Sequence, residues 1–453
     1  MRAHGKDAED ANQDATEVRD GWARRAGDPS SLAAPDPREH LRLFDAAAQR
    51  PNLSSEQTAA VNRARAEITE CAERTAKELQ SLEGVALTDE ECAILRPAHQ
   101  RKTHLPSPQR PYGHLAVRTR LGGLSVTPLW VAQDDRCVVL STVENRIKTR
   151  ASALDPLVAM SVPAGIGSQV GFEVCGLAVQ YPDPGRHLIR EIAEIYGTPE
   201  LRLHKDGNYT SWEQREGGRR IRMEIKAALV RDEIGDAPST RTAPWSARIA
   251  PRRADPRLGA LWSRHAHQNF WGPTDQDSDD ELFLHGSRDE LAILGMEPRS
   301  GRYRSLNSTY GHVACYDARG LVRCIRVGFD VIHVGAESRI AFLVRRGADL
   351  DTLLENPAVA ISVAKYRIGG AWLQSQGLIE IHDDPQQTTS VIKRLESRYA
   401  EVHHGLALGL DLSERPAGGE YVLASISHQR LSSRYREAER SQRSQHSLAS
   451  SVS

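Results

Sequence analysis

The sequence predicts an α+β, mostly antiparallel β fold that is built twice along the chain, after an N-terminal helical extension. Three observations lead to this prediction. The chain of 453 residues is too long for one ordinary core, since domains usually contain about 100–200 residues. It repeats itself at long range. Each copy contains short segments rich in Val, Leu and Thr that turn-forming stretches separate, so we expect two small barrels in tandem.

The internal repeat is the strongest signal in the sequence. Each copy opens with a capping box, in which Ser or Thr is followed three residues later by Glu. Five segments recur downstream in the same order, at offsets between 198 and 201 residues: 88–95 with 287–294, 112–117 with 310–315, 155–162 with 356–363, 176–177 with 377–378, and 217–218 with 418–419. Five collinear matches with so small a drift indicate a duplication.

Composition and periodicity predict how the chain is organised around the two copies. An amphipathic helix with apolar residues at three- and four-residue steps follows the capping box of Ser54 and Gln57. The segment between the copies is rich in Pro and Arg and then acidic. The predicted units are a disordered tail at 1–36, a helical extension at 37–87, a first barrel at 88–231, a linker at 232–286, a second barrel at 287–430 and a disordered tail at 431–453.

The overall charge favours no particular class of macromolecular partner. Formal net charge is −1, so we expect neither nucleic acid nor a membrane as a partner. No apolar run approaches the roughly 18 residues that a membrane helix needs, and the N-terminus lacks the apolar core of a signal peptide. The six cysteines are scattered without a CxxC pair. We therefore expect a cytoplasmic protein with free buried thiols and no metal site.

Residues 124–150, followed by Asp155-Pro156 and a Val-Ala-Met-Ser-Val strand, carry a resemblance to a known family. The order is a strand, an acidic turn, a strand ending in Ser-Thr, a basic loop, a helix, Asp-Pro and a further strand. This order resembles the pyridoxamine-phosphate-oxidase-like superfamily of FMN-binding split barrels, which also includes deazaflavin-dependent reductases and haem-handling proteins. The resemblance covers much of the first copy and, more loosely, the second. It implies two tandem split barrels.

The strand that ends in hydroxyl groups and the basic loop after it could surround a phosphate. Ser141 and Thr142 end the strand, and Arg146 and Lys148 follow four and six residues after Thr142. Hydrogen bonds between cations and phosphate oxygens are strong, and the helix that begins near Thr149 could add its N-terminal dipole. These residue types therefore favour a phosphate-binding site.

The resemblance assigns roles to individual residues of the first copy. It implies that Thr142 and Lys148 contact the phosphate of FMN. It also implies that the strand carrying Thr127, Pro128 and Trp130 lines the isoalloxazine ring. The sequence identifies no catalytic residue, because a bound flavin carries the chemistry of hydride transfer itself.

The second copy lacks this set of phosphate-binding residues. At an offset of 201, Ser141 becomes Phe342, Thr142 becomes Leu343, Arg146 becomes Gly347 and Lys148 becomes Asp349. An aspartate repels a phosphate, so we expect the second copy not to hold FMN in the manner of the family, although Arg345 and Arg346 lie nearby. In the family, flavins lie between the two barrels of a homodimer. The resemblance therefore implies a pseudo-dimer within one chain, and further association into a homodimer stays open.

We expect a flavin-dependent oxidoreductase that transfers hydride to or from a small organic molecule, with FMN preferred over the deazaflavin coenzyme. One alternative is a haem-binding split barrel that would use His114 or His312, which recur in both copies within Tyr-Gly-His. Another is a non-catalytic flavin- or ligand-binding scaffold. Oxidation of vitamin B6 is disfavoured, because the closing strands lack the Arg-Leu-His-Asp-Arg type of segment that the resemblance would require.

Overall fold

The structure is a computed structural model of the chain, and part of the chain is described in it. The described residues are 59, 62, 66, 77–95, 112–119, 123–144, 146–164, 171–196, 219–232, 239–249, 310–335, 337–364, 372–398, 407–408 and 420–433. Most of the N-terminal extension, the segment 250–309 and the C-terminal tail lie outside them. The predictions of disordered tails at 1–36 and 431–453 fall on those residues, apart from 431–433.

The first copy consists of one sheet and a few short helices. Its elements are α1 (Asp89–Leu95), β1 (Gly113–Arg118), β2 (Leu124–Leu129), β3 (Ala132–Asp134), β4 (Cys137–Val143), α2 (Ile147–Leu154), β5 (Leu157–Pro163), β6 (Gly171–Pro182), α3 (His187–Tyr196), β7 (Arg220–Asp232), β8 (Ser239–Thr242) and a 3-10 helix (Pro244–Arg248).

The second copy repeats the arrangement. Its described elements are β9 (Gly311–Tyr316), β10 (Val322–Val327), β11 (Phe329–Val334), β12 (Glu337–Arg345), α4 (Ala348–Glu355), β13 (Ala358–Ala364), β14 (Trp372–His382), α5 (Pro385–Arg398), β15 (Ala407–Leu408) and β16 (Tyr421–Ser433).

The two sheets have the same strand order. The first runs β2-β1-β5-β6-β7-β4-β3 with β8 beside β7, and the second runs β10-β9-β13-β14-β16-β12-β11 with β15 beside β12. All described strand pairs are antiparallel except β12 with β15. The predicted fold class, a mostly antiparallel α+β chain with two tandem split barrels, is confirmed. Among the described residues, no helix is both long and apolar enough to cross a membrane.

A bulge at a glycine recurs at the same place in both sheets. The pairing of β6 with β7 shifts register between Cys175 and Gly176, and the pairing of β14 with β16 shifts between Gln376 and Gly377. A Cβ atom at Gly176 would collide with the carbonyl oxygen of Lys226 on the neighbouring strand. Glycine is therefore required where the bent strand brings two backbones together.

Strand β5 explains how the core is divided. All seven of its residues are buried, because it is covered on both faces. Val158 and Met160 belong to the apolar cluster inside the first barrel. Leu157 and Ala159 belong to a second cluster, which also contains Ala314, Tyr316 and Cys324 of the second copy. The outer face of this strand is therefore buried by the other barrel.

The first copy extends beyond the boundary predicted at residue 231. Strand β8 pairs with β7, and the indole nitrogen of Trp245 in the 3-10 helix donates to the carbonyl oxygen of Glu83 at 2.8 Å. Polar residues such as Ser239–Thr242 thus add an edge strand to the first sheet. The rest of the predicted linker lies outside the described residues.

The N-terminal extension is described at its C-terminal end. Residues 77–81 are helical, and Leu79 lies in the apolar cluster that both barrels share. The predicted capping box of α1 is also present. The backbone nitrogen of Thr88 donates to Glu91 Oε2 at 2.7 Å, and the backbone nitrogen of Glu91 donates to Thr88 Oγ1 at 3.2 Å. Its counterpart at 287–294 lies outside the described residues.

Candidate functional site

The first turn of helix α2 carries the cations that the sequence singled out. Arg146 is the N-cap residue, its backbone is extended, and its side chain makes no capping hydrogen bond to the helix. The Arg146 side chain is exposed, whereas Lys148 and Arg150 are half-buried. No acidic residue occupies this turn. Cations at a helix N-terminus are repelled by the positive end of the helix dipole. A bound anion there would be stabilised by the cations and by the dipole.

Helix α2 is held against the sheet by hydroxyl groups. Thr142 Oγ1 lies 3.0 Å from Thr149 Oγ1, and Thr149 Oγ1 donates to the carbonyl oxygen of Val143 at 2.8 Å. From strand β6, the Gln180 side-chain amide donates to the Thr149 carbonyl oxygen at 2.8 Å and to Ser152 Oγ at 2.9 Å. These bonds fix where the first turn of the helix lies.

Ser141 and Thr142 lie on opposite faces of strand β4, as neighbouring residues in a strand must. Thr142 is buried and follows Val138 and Leu140, which face the inside of the barrel. Ser141 follows Val139 on the outer face, opposite Arg222. Alternation therefore separates the two side chains, and only one of these hydroxyls lies on each side of β4.

The two hydroxyl groups also differ in their bonding. Thr142 is engaged with Thr149, which leaves it a role in positioning α2. Ser141 Oγ is buried and has no hydrogen-bond partner among the described residues. A buried hydroxyl without a partner is costly, and such groups often meet a ligand or water. Of the two hydroxyl groups, Ser141 Oγ is therefore the one that could still form a hydrogen bond to a ligand.

The other predicted contact residues lie around the end of strand β2. Thr127 and Pro128 are half-buried within the strand, and Trp130 is half-buried just after it. The Trp130 side chain packs against a cluster on the outer face. This cluster consists of Ala132 and Val139 of the sheet and Leu188 and Ile192 of α3. The indole thus lies on the same outer face as Ser141.

A row of charged residues, which the sequence does not assign to the site, lies on strand β7. On the outer face of β7, Arg222 binds Asp134 at 2.6 Å, and Lys226 binds Glu224 at 2.7 Å. Arg222 and Glu224 lie directly opposite Ser141 and Val139 on β4. The strict alternation of charged and apolar residues from Arg220 to Lys226 is a sequence signal that could have revealed this face.

The equivalent helix start in the second copy carries the opposite charge. Helix α4 has Asp349 and Asp351 in its first turn, and its N-cap, Gly347, has a φ of 109°. An acidic first turn satisfies the helix dipole without any bound anion.

The residue-by-residue comparison of the copies needs a correction in strand β4. The Glu144 nitrogen bonds the Arg219 carbonyl oxygen, and the Arg346 nitrogen bonds that of Glu420. These bonds match Glu144 with Arg346, at an offset of 202, before the loop that precedes the helix. The offset of 201 applies only from the helix onward. Ser141 therefore corresponds to Leu343 and Thr142 to Val344, because the second copy has one residue fewer in this loop. Hydroxyls are still replaced by apolar groups.

The two repeated histidines meet at the contact between the barrels. The imidazole rings of His114 and His312 stack with centroids 3.5 Å apart. His114 Nδ1 lies 2.8 Å from Ser362 Oγ, and His312 Nδ1 lies 3.0 Å from Ser161 Oγ. Burial lowers the pKa of His114 to about 3. Burial, with His114 and Arg326 nearby, also lowers the pKa of His312 well below its usual value. To ligate an iron, either ring would have to leave this stack.

No reactive thiol or metal cluster emerges from the described residues. The five described cysteines are free, and burial raises the pKa of Cys175 well above its usual value. No group of three His, Cys, Asp or Glu residues in the described part of the chain could hold a metal ion. Cys175 is therefore a weak nucleophile where it lies.

Comparisons with known proteins find matches among solved structures. No family model and no curated protein matches the chain. Solved structures that match include an F420 reductase (24% identity, covering 31% of this chain and 94% of its own, TM-score 0.22). A proposed pyridoxamine 5'-phosphate oxidase from Listeria innocua matches at 14% identity, covering 32% of this chain and 95% of its own, with TM-score 0.22. The haem storage protein HutZ from Vibrio cholerae matches at 15% identity, covering 28% and 87%, with TM-score 0.21.

The strand order and the bulge pattern therefore place the described part of the chain in a definite fold. Both sheets contain seven equivalent strands in the same spatial order, and both have a register shift at an equivalent glycine. The described part of the chain folds as two tandem split barrels.

Proposed function

We propose that the first copy binds FMN through its phosphate at the start of helix α2, with Arg146 and Lys148 as the contacting cations. The observation that carries this proposal is a basic first turn without any acid, at a helix terminus that already favours anions. A phosphate near neutral pH carries nearly two negative charges. It would compensate the cations and the dipole together.

Two further groups lie on the outer face of the first barrel, on the other side of β4 from the Thr142 hydroxyl. Trp130 offers an aromatic wall beside β2, and the unpartnered Ser141 Oγ offers a hydrogen bond on the same face. Thr142, Thr149 and Gln180 hold α2 in place and act as positioning residues. When bound, the flavin supplies hydride transfer. On this basis we infer an oxidoreductase that acts on a small organic molecule in the cytoplasm.

The first experiment is an absorption spectrum of the purified full chain, followed by titration with FMN, the deazaflavin coenzyme and haemin. We expect FMN to bind, with the deazaflavin coenzyme weaker. A haem spectrum that depends on His114 or His312 would replace the proposal by the haem alternative. No uptake of any cofactor would favour a scaffold without a cofactor.

Substitution Lys148→Ala tests the assigned contact directly. A hydrogen bond to a charged group contributes about 1.5–3 kcal/mol, so FMN affinity should fall by roughly 10- to 150-fold. The matched control is Asp349→Ala at the start of α4, which should leave FMN affinity unchanged. Equal FMN affinity in Lys148→Ala and wild type would remove Lys148 from the site.

A further inference from the structure

The contact between the barrels is symmetric at its centre. His114 corresponds to His312 at an offset of 198, and Ser161 corresponds to Ser362 at an offset of 201. Each histidine is hydrogen-bonded to the serine of the other copy. If only these four residues met, either copy could pair equally well with another copy of itself.

Away from the centre, one half of the contact is an ion pair. The Glu173 carboxylate of the first copy accepts bonds from Arg323 of the second copy, at 3.1 Å from Nε and 2.9 Å from Nη2. It also accepts a bond from the backbone nitrogen of Cys324 at 2.8 Å. The side chains of Glu173 and Arg323 are only 9% and 20% exposed.

The other half of the contact is neutral. The residues equivalent to Glu173 and Arg323 are Gln374 (173 + 201) and Ser125 (323 − 198). The Gln374 amide donates to Ser125 Oγ at 2.8 Å, and the Gln376 amide donates to the same oxygen at 3.2 Å. Both Ser125 and Gln374 are buried. The same position therefore holds a charged pair on one side and a neutral pair on the other.

We propose that this asymmetry makes the contact heterotypic, so that the first copy accepts the second copy and rejects another first copy, with Glu173 and Arg323 as the specificity determinants. Two first copies would bury Glu173 against Ser125, and two second copies would bury Arg323 against Gln374. In a pair of first copies Glu173 would keep Arg231 of its own copy but lose Arg323. In a pair of second copies Arg323 would lose its carboxylate. The loss of a charge partner across the contact is unfavourable in both cases. The chain should therefore close on itself, independently of any cofactor.

Variants of the full chain test the proposal. The neutral pair of Gln374 and Ser125 shows which substitutions would remove the charges without losing the contact. Glu173→Gln gives the first copy the same Ser and Gln pair that is native on the other side. It also leaves Arg323 buried without a carboxylate. We expect a fall in Tm of about 10 °C. We also expect a concentration-dependent dimer of chains that associate through their first copies, measured by size-exclusion chromatography with light scattering.

The double variant Glu173→Gln with Arg323→Ser should recover most of the lost Tm, since it rebuilds the neutral pair. The matched control is Arg231→Gln, which removes another partner of Glu173 at 3.1 Å within the first copy. It should lower Tm but leave the mass equal to that of the wild type. Additive losses in the double variant, or an unchanged mass for Glu173→Gln, would overturn the proposal. If Glu173→Gln alone does not fold, a folded double variant supports the proposal and an unfolded one refutes it.

Discussion

The two copies share a glycine bulge and a central histidine, but their helices α2 and α4 begin with opposite charges. Arg146 and Lys148 open α2, whereas Asp349 and Asp351 open α4. Both helices follow equivalent strands in sheets of identical order. The fold therefore tolerates either charge at this position. It does not tolerate change at the glycine bulge, where two backbones approach closely.

The difference separates the requirements of folding from those of binding. An acidic helix start is what the helix dipole prefers by itself, so α4 needs no further explanation. A basic start is less stable in isolation and becomes favourable when an anion is present. The first copy thus carries a local sequence that conflicts with helix stability, and such conflicts are expected at functional sites.

The largest expected effect is a loss of folding stability in acid, caused by the stacked pair of His114 and His312 between the barrels. An unfolded histidine binds a proton near pH 6.5, whereas His114 in the folded chain has a pKa of about 3. The unfolded state therefore binds more protons between these values, so stability falls as the pH is lowered below 6.5. The loss is about 1.4 kcal/mol per pH unit for each histidine that stays neutral, or roughly 2 kcal/mol each at pH 5. Urea unfolding between pH 7.5 and 4.5 measures it.

The matched variants for this experiment are His114→Asn and His312→Asn. Because each copy contributes one ring to the stack, each variant should reduce the pH dependence by about half. Glu173 adds a further loss at lower pH. Burial alone would raise its pKa, but Arg323 and Arg231 hold the pKa at about 2. A pH dependence unaffected by both histidine variants would contradict the neutral buried pair.

Alanine at the bulge glycine should be harmful in both copies to a similar extent. A Cβ at Gly176 would meet the Lys226 carbonyl oxygen, and a Cβ at Gly377 would meet that of Ser427. Backbone atoms cannot move away as a flexible side chain can, so we expect each substitution to cost about 2–3 kcal/mol. Thermal unfolding of Gly176→Ala and Gly377→Ala measures this. A large loss in only one of them would show that the copies are not equivalent here.

Thr142→Val should have the smallest effect and should separate stability from binding. The second copy already carries Val344 at the corresponding position. Loss of the hydrogen bond to Thr149 should cost about 0.5–1.5 kcal/mol of stability. FMN affinity should fall much less than in Lys148→Ala, because the hydroxyl positions α2 and does not contact the phosphate. Affinity that falls as far as in Lys148→Ala would restore Thr142 as a direct phosphate contact.

Much of the architecture could be predicted from local sequence. The duplication is visible as similar segments at a nearly constant offset, and the capping box depends only on Thr88 and Glu91, three residues apart. The charge difference between α2 and α4 was also visible, because it lies in the residues themselves. The residue correspondence in β4 was wrong, because the loop after the equivalent strand in the second copy is one residue shorter. An offset that is wrong by one residue matches side chains that lie on opposite faces of the strand.

Residue order determines the repeat, the strands and the charge at each helix start, because these follow from periodicity and composition over short stretches. The stacking of His114 on His312 and the pairing of Glu173 with Arg323 join residues 198 and 150 positions apart. Their burial depends on how two barrels dock, and no local pattern encodes that. Only the tertiary structure therefore decides that Ser141 keeps a free bonding position while Thr142 does not, and that the contact between the copies is unequal.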